Sequence, residues 1–228
     1  FPFSDLERVS FPIYYRSDGS VFPKDRYGND ALIEQIRQAR WSTADVRDVE
    51  FSEPYPLQIR LGAGEHRFEL TLTEGAAYFG SVYLVPFTPY PDYAQYLAAQ
   101  PAADTSGIQI ALEAELPSYK NDTSVRPATD RSLTVTPYDT YCQLMNTMGG
   151  ESWDQSGSAV YYEFNVPEAG YYSLTFRAMQ NTRSNFTVFR RITVNGAVPF
   201  AELNAVAFPS SADWMDVHLG GGTPYKLY

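Results

Sequence analysis

The chain has 228 residues, of which 44% are hydrophobic and 19% charged, so it is long and apolar enough to bury a core. Its formal net charge is −10, and no Lys- or Arg-rich run is present, which argues against nucleic acid partners and anionic lipid surfaces. The single cysteine, Cys142, excludes an internal disulfide, and no apolar stretch approaches the roughly 18 residues of a membrane span.

The residue types favour a β fold. Aromatic residues make up 15% of the chain, and 18 of them are tyrosines. Tyr, Phe, Val and Thr suit pleated, half-buried surfaces, and 16 prolines with 15 glycines supply turns. Because the chain has neither an initiator Met nor a signal peptide, we expect it to begin inside a larger protein.

The first predicted element is a helix over residues 29–40. It has a cap-like start, and Leu32, Ile33 and Ile36 follow at helical spacing. Further along, apolar residues alternate over residues 56–61 and again over residues 68–72, with a Gly-rich turn between them. That pattern predicts a hairpin, residues 78–85 predict a third strand, and residues 92–99 predict a short connecting helix.

The second half of the chain is predicted to consist of short strands separated by turns. Residues 167–170 form a predicted tight turn, and Asn195-Gly196 is a strong turn signal. Short strands at regular spacing indicate a sandwich rather than a βαβ fold. The predicted strands cover residues 108–115, 160–166, 171–178, 188–194 and 214–219.

An internal repeat predicts the domain organisation. Residues 2–12 and 199–209 share the pattern P-F-small-acid-L-x-x-V-small-F-P, and residues 53–57 match residues 223–227. We therefore predict that residues 1–96 are the C-terminal part of one sandwich repeat and residues 107–228 the N-terminal and middle part of the next, with residues 97–106 as linker. The halves would complete one permuted sandwich, or else form two incomplete sandwiches with exposed edges.

One stretch of the second half resembles a known family. Residues 113–115, Trp153, residues 160–172 and Arg177 are similar to the carbohydrate-binding modules of families 6 and 35, through a run of the type V-x-Y-x-F-x-V-P-x-A-G-x-Y. The resemblance covers mainly residues 108–178. It implies an all-β, galactose-binding-like jelly roll.

A broader resemblance covers nearly the whole chain. Residues 130–132, 146–153, 177–181 and 190–196, with residues 25–30 and Trp41, resemble the paired N-terminal sandwich domains of long solute-binding lipoproteins of Gram-positive sugar importers. It implies an extracellular, non-catalytic accessory module, attached to the cell surface through the full-length lipoprotein and followed by a solute-binding domain. In that family the segment after G-N-D is extended and usually contains proline, whereas residues 31–40 contain none.

The candidate ligand is an oligosaccharide or polysaccharide. Sugars need a flat apolar face for their C–H groups and planar polar side chains for their hydroxyls. Such side chains occur in the turn-rich loop before Trp153 and at the end of the strand that contains Arg177, although Trp153 could instead fill the core and Arg177 pair with a structural carboxylate. The candidate ligand-binding residues are Tyr138, Tyr141, Asn146, Trp153, Arg177, Gln180 and Asn181.

A structural calcium is the candidate cofactor. Glu113 and Glu115 share one face of a predicted strand, and the resemblance implies that a glutamate in this position helps to hold the ion. Carboxylate oxygens suit calcium. The alternative is an ion pair between these glutamates and one of Arg177, Arg190 and Arg191.

We expect the chain not to be an enzyme. It contains no H-E-x-x-H, C-x-x-C or phosphate-binding glycine loop, and its two histidines, His66 and His218, are not part of a nucleophile motif. Two alternatives to a sugar-binding accessory domain stay open. One is a structural spacer or protein-interaction domain, and the other is the accessory module of a glycoside hydrolase.

Overall fold

A computed structural model describes residues 11–48, 53–73, 75–101, 107–182 and 184–228. Within these residues strands outnumber helices, and the strands pair antiparallel in several small sheets. The β-rich class is therefore confirmed, and the jelly roll stays a prediction. The first copy of the repeat, residues 2–12, lies almost wholly outside the described residues.

The secondary structure consists of short strands and one short helix. The helix α1 spans Tyr93–Ala99, and two 3₁₀ turns span Gly150–Ser152 and Ala201–Asn204. In chain order the strands are β1 (Tyr14–Ser17), β2 (Gln35–Gln38), β3 (Tyr119–Lys120), β4 (Pro127–Ala128), β5 (Thr147–Met148), β6 (Val160–Tyr161), β7 (Tyr172–Ser173), β8 (Thr175–Gln180), β9 (Val188–Arg190), β10 (Val206–Phe208), β11 (Ser211–His218) and β12 (Lys226–Leu227).

The largest sheet combines strands from both predicted halves of the chain. Its order is β2-β1-β3-β6, and β1 meets β3 where Tyr15 lies opposite Lys120. Aromatic side chains cover this junction, since the rings of Tyr119 and Tyr161 stack at 4.5 Å and Tyr14 packs edge-on against both. The sheet therefore links residues 14–38 to residues 119–161.

The helix predicted for residues 29–40 is wrong. Residues 35–38 form β2, which pairs with β1 from Tyr14 opposite Gln38 to Ser17 opposite Gln35. The Asp18 N–H also donates to the Glu34 carbonyl at 2.8 Å, which extends the pairing. Apolar spacing over so short a segment fits either conformation, and the long-range pairing with β1 decides between them. The segment is extended even though it contains no proline.

Several predicted strands are shorter than expected or are not formed. Observed strands overlap the predicted strands of residues 160–166, 171–178, 188–194 and 214–219, although β8 and β11 extend beyond the predicted bounds. The hairpin of residues 56–61 and 68–72 and the strands of residues 78–85 and 108–115 are not formed. Hairpins are marginal unless a third strand or another layer covers them. Here the apolar side chains remain exposed, among them Phe68, Leu72 and Tyr83.

The core lies where α1 packs on the last third of the chain. The helix is predicted correctly, and a capping box fixes its start, since Asp92 Oδ1 accepts from the Gln95 N–H and Gln95 Oε1 accepts from the Asp92 N–H. Tyr96 packs against Phe200 with ring centroids 5.1 Å apart. Together with Val198, Leu203 and Leu219, these two residues form the buried cluster. No helix among the described residues is long and apolar enough to cross a membrane.

The remaining sheets are two-stranded pairs. The longest, β8 with β11, runs from Ser211 opposite Gln180 to His218 opposite Thr175, with a register shift before Met215. The other pairs are β9 with β10, β7 with β12, and β4 with β5. The predicted Asn195-Gly196 turn is confirmed, since both residues have positive φ and Val194 bonds with Ala197 on either side.

Candidate functional site

The loop of residues 24–30 is organised by one carboxylate. Asp25 Oδ1 accepts the N–H groups of Tyr27 at 2.7 Å and Asn29 at 2.9 Å, while Asp25 Oδ2 accepts from the Asn29 side-chain amide at 3.0 Å. The Asn29 side-chain bond, followed by these backbone bonds, lowers the pKa of Asp25 below its usual range. Asp25 is therefore ionised at neutral pH and holds Tyr27 in a fixed turn.

The loop of residues 137–146 is organised in the same way. Asp139 Oδ1 accepts the N–H groups of Tyr141 and Cys142, each at 2.7 Å. These two bonds, with a smaller contribution from the positive charge of Lys24, lower the pKa of Asp139. The turn therefore fixes the backbone from which the Tyr141 side chain projects.

Hydrogen bonds join the two loops. The Gln143 N–H donates to Asn29 Oδ1 at 2.8 Å, and the Asp30 N–H donates to the Gln143 carbonyl at 2.8 Å. Asp30 Oδ2 accepts the Met145 N–H at 2.9 Å, while Asp30 Oδ1 pairs with Lys24 at 2.6 Å. Residues from the two predicted halves of the chain therefore form one continuous surface.

Gly28 allows the loops to approach this closely. Its φ is +87°, and a Cβ at this position would lie 3.0 Å from Cys142 Sγ. The Cys142 thiol also donates to the Tyr27 carbonyl at 3.7 Å. Any larger residue at position 28 would both strain the turn and push Cys142 away.

The joined loops expose three tyrosines, which we call the tyrosine surface. The exposed fractions are 68% for Tyr27, 41% for Tyr138 and 90% for Tyr141. The Arg26 guanidinium lies 4.6 Å from the centroid of the Tyr27 ring, within the range of a cation–π contact. Aromatic rings on loops that internal hydrogen bonds already fix lose little entropy when a ligand covers them.

Asn146, a predicted ligand-binding residue, ends the loop that carries Tyr141 and is 5% exposed. Its Oδ1 accepts the Asp130 N–H at 2.8 Å, and its Nδ2 donates to the carbonyls of Asp130 and Pro137 at 2.8 and 2.9 Å. Its side chain therefore clamps Asp130 to Pro137, at the start of the loop.

Trp153, another predicted ligand-binding residue, is half-buried in a packed environment. Its Nε1 donates to the Ser158 carbonyl at 2.9 Å, and the Arg190 guanidinium lies 4.8 Å from its ring centroid. The Arg190 Nη2 also donates to the Trp153 carbonyl at 3.2 Å. At Gly149, whose φ is +98°, a Cβ would lie only 3.0 Å from the indole. Both the indole N–H and the ring of Trp153 therefore already have partners within the chain, Ser158 and Arg190.

The other three predicted residues lie on or just after β8. Arg177 pairs with Asp216 on β11 at 3.0 Å. This ion pair matches the alternative interpretation, in which Arg177 pairs with a structural carboxylate. Gln180 is 7% exposed, and its Nε2 donates to the Phe186 carbonyl at 2.6 Å. Asn181 is exposed. Of the seven predicted residues, Tyr138, Tyr141 and Asn146 share the loop of residues 137–146, whereas Trp153, Arg177 and Gln180 bond elsewhere in the chain.

The predicted calcium ligands differ in burial. Glu113 is exposed, whereas Glu115 is 4% exposed and its Oε2 has no hydrogen-bond partner. Burial, followed by the charges of Glu113 and Asp30, raises the pKa of Glu115 to about 7. The described residues contain no cluster of three or more His, Cys, Asp or Glu side chains fit to hold a metal ion. Calcium therefore stays a prediction.

Tyr27 is the residue of this surface that the sequence alone did not single out. It lies in the D-R-Y-G-N-D run of residues 25–30, which contributed to the family resemblance without a role for the tyrosine. The signal that could have found it is an aromatic residue in a turn, two positions after Asp25 and directly before Gly28.

Comparison of the chain with protein-family models, with curated proteins and with solved structures gives no match.

Proposed function

We propose that this chain is a non-catalytic carbohydrate-binding module that takes an oligosaccharide or polysaccharide on the tyrosine surface. The observation that carries the proposal is Tyr141, whose side chain is 90% exposed on a loop fixed by Asp139. An exposed aromatic ring on a backbone that hydrogen bonds already fix is what a sugar-binding site presents to the C–H face of a pyranose.

The polar groups around the rings suit hydroxyl recognition. Phenolic oxygens donate and accept hydrogen bonds, and the guanidinium of Arg26 adds donors beside the Tyr27 ring. Because the loops are hydrogen-bonded internally before ligand arrives, binding would cost little conformational entropy. Exposed tyrosines on two joined loops suit a ligand of more than one sugar unit.

The wider role rests on the sequence resemblance. It supports an extracellular accessory module of a solute-binding protein, attached to the cell surface through the full-length lipoprotein, with the solute-binding domain as its covalent partner. The resemblance to families 6 and 35 also supports an accessory module of a glycoside hydrolase. A catalytic domain elsewhere in the full-length chain would favour that second placement.

A structural spacer is the second candidate function. It is favoured by Asn146 and Trp153, whose side-chain polar groups bond within the chain. In a spacer, such side chains maintain the loops without recognising a ligand.

A glycan array, run with and without calcium, distinguishes a carbohydrate-binding module from a structural spacer. The wild type is compared with a Tyr141→Ala variant and with Tyr78→Ala, a matched control because Tyr78 is 93% exposed outside the tyrosine surface. We expect wild type and Tyr78→Ala to bind the same glycans and Tyr141→Ala to lose at least tenfold in affinity, about 1.4 kcal/mol. Equal binding by the wild type and both variants, or no binding by the folded wild type, overturns the proposal.

A further inference from the structure

Residues 14–38 form a unit that its own hydrogen bonds hold together, and we call it the β1-β2 unit. The strands β1 and β2 pair along their whole length. In the loop between them the Asp25 N–H donates to the Asn29 carbonyl at 2.8 Å, and the Asp25 carboxylate fixes the turn. Tyr27 of the tyrosine surface lies in this loop, so the unit carries part of the proposed sugar site.

The β1-β2 unit contributes little to the core. Among the described residues, the buried cluster around Phe200 contains no residue of the unit. Phe22 is the one buried hydrophobic side chain within it. Segments with few buried apolar side chains are the ones that open locally at the lowest cost in free energy. We therefore expect the unit to open while the cluster around Phe200 stays folded.

One end of the unit docks on the rest of the chain through the largest sheet. β1 and β3 share a single register pair, in which Tyr15 lies opposite Lys120. The ring of Tyr14 packs edge-on against the rings of Tyr119 and Tyr161, at 5.5 and 5.7 Å between centroids. This contact is short, and a hairpin of two strands is marginally stable without further layers.

The other end of the unit docks through the loop that carries Tyr27. The Gln143 N–H donates to Asn29 Oδ1, and the Cys142 thiol donates to the Tyr27 carbonyl. Both hydrogen bonds lie in exposed surroundings. Exposed hydrogen bonds are exchanged for bonds to water when the unit opens, so each of them stabilises the docked position only modestly.

The proposed sugar site is complete only when the unit is docked. Tyr27 lies on the unit, whereas Tyr138 and Tyr141 lie on the loop of residues 137–146. A ligand that covers rings on both loops makes all of its contacts only in the docked state. A ligand that binds one of two states more tightly shifts the population toward that state.

We propose that a sugar bound across the tyrosine surface closes the β1-β2 unit onto the loop of residues 137–146 and so controls how often the unit opens. This inference rests on the proposed sugar site. The opening equilibrium falls by the factor 1 + [L]/Kd, which is about a hundredfold at a ligand concentration of 100 Kd.

Hydrogen exchange measured by NMR on the whole chain tests this. The reporters are the N–H groups of Asp30 and Met145, which donate across the docked junction. The reference is the Ile192 N–H, which donates to the carbonyl of Leu203 in the buried cluster at 2.9 Å. Without sugar, we expect the junction groups to exchange at least about tenfold faster than the reference, through local opening. The glycan that binds most tightly on the array, at saturation, should slow them at least about tenfold.

Two variants show whether the sugar acts by bridging the loops. Tyr27→Ala should still bind sugar, more weakly, through the second loop. Saturating sugar then binds the open and docked states alike and leaves the exchange of Asp30 unchanged. Tyr78→Ala is the matched control, because Tyr78 is 93% exposed outside the tyrosine surface, and it should behave as the wild type does.

The outcomes distinguish this inference from the proposed function. Junction groups that exchange as slowly as the Ile192 N–H without sugar overturn the inference, because the unit then does not open separately. Bound sugar that leaves their exchange unchanged in the wild type, or slows it equally in Tyr27→Ala, also overturns the inference and leaves the proposed function standing. Absence of sugar binding overturns both.

Discussion

The main-chain N–H of Gln143 donates to Oδ1 of Asn29 at 2.8 Å, although the two residues lie 114 positions apart in the chain. The same Asn29 side chain donates from Nδ2 to Asp25. One amide therefore connects the turn that carries Tyr27 with the loop that carries Tyr141. The proposed sugar site depends on this connection.

Replacing Asn29 tests the connection. Asn29→Ala removes both side-chain bonds, and we expect the free energy of unfolding to fall by about 1–2 kcal/mol. Sugar affinity should fall as well, although both tyrosines remain, because the two loops lose one of the bonds that join them. Urea unfolding and sugar titration measure the two effects. Unchanged affinity in a destabilised variant would show that the tyrosines act independently of the junction.

Asn146 should contribute to stability rather than contact the ligand. Asn146→Ala leaves the half-buried N–H of Asp130 and two carbonyls without this partner, so we expect a loss of about 3 kcal/mol in the free energy of unfolding. Asn181→Ala is the control: Asn181 is exposed, and its removal should change stability by less than about 0.5 kcal/mol. Equal stability of the two variants in urea unfolding would contradict the clamp.

Trp153 is expected to act through packing. Trp153→Ala removes the ring that Arg190 covers and the donor to Ser158, and we expect the free energy of unfolding to fall by about 3–4 kcal/mol. The molecules that stay folded should keep their sugar affinity. Titration of the variant at low temperature, where it remains folded, measures this. Abolished binding in a fully folded variant would instead move the site to Trp153.

Glu115 should make stability depend on pH. Burial raises its pKa from 4.5 to about 7, so the folded state holds this proton more tightly than the unfolded state does. Its contribution to stability is therefore full below pH 4.5 and lost as the pH rises toward 7, by up to about 3 kcal/mol.

The matched pair for this effect is Glu115→Gln and Glu113→Gln. Glu115→Gln keeps the shape of the side chain and should be more stable than the wild type at pH 8 but similar at pH 4.5. Glu113→Gln should follow the wild type, since Glu113 is exposed. Urea unfolding at both pH values measures the difference. A Glu115→Gln profile that parallels the wild type would contradict the burial of this carboxylate.

Elements governed by neighbours in sequence could be predicted. The capping box of Asp92 and Gln95 and the Asn195-Gly196 turn depend on residues within four positions, and both are formed. The conformation of residues 29–40 could not be predicted in this way. Its apolar spacing fits a helix, and the pairing of β2 with β1 is a tertiary interaction.

The same distinction applies to the proposed sugar site. Tyr138 and Tyr141 follow from their place in a turn-rich loop, whereas Tyr27 joins them through hydrogen bonds to a loop more than a hundred residues away. The side-chain amide of Asn146 is a planar polar group of the kind that binds sugar hydroxyls. That group also suits a loop clamp, and sequence does not distinguish the two uses.

The most direct test of the central claim is the position of bound sugar. Aromatic ring resonances of the tyrosines are followed by NMR while the folded chain is titrated with the glycan that binds most tightly on the array. We predict shifts centred on Tyr27 and Tyr141, with the Tyr78 ring unaffected. Shifts confined to the Trp153 and Arg190 region, or no tyrosine shift at saturating sugar, would contradict the account.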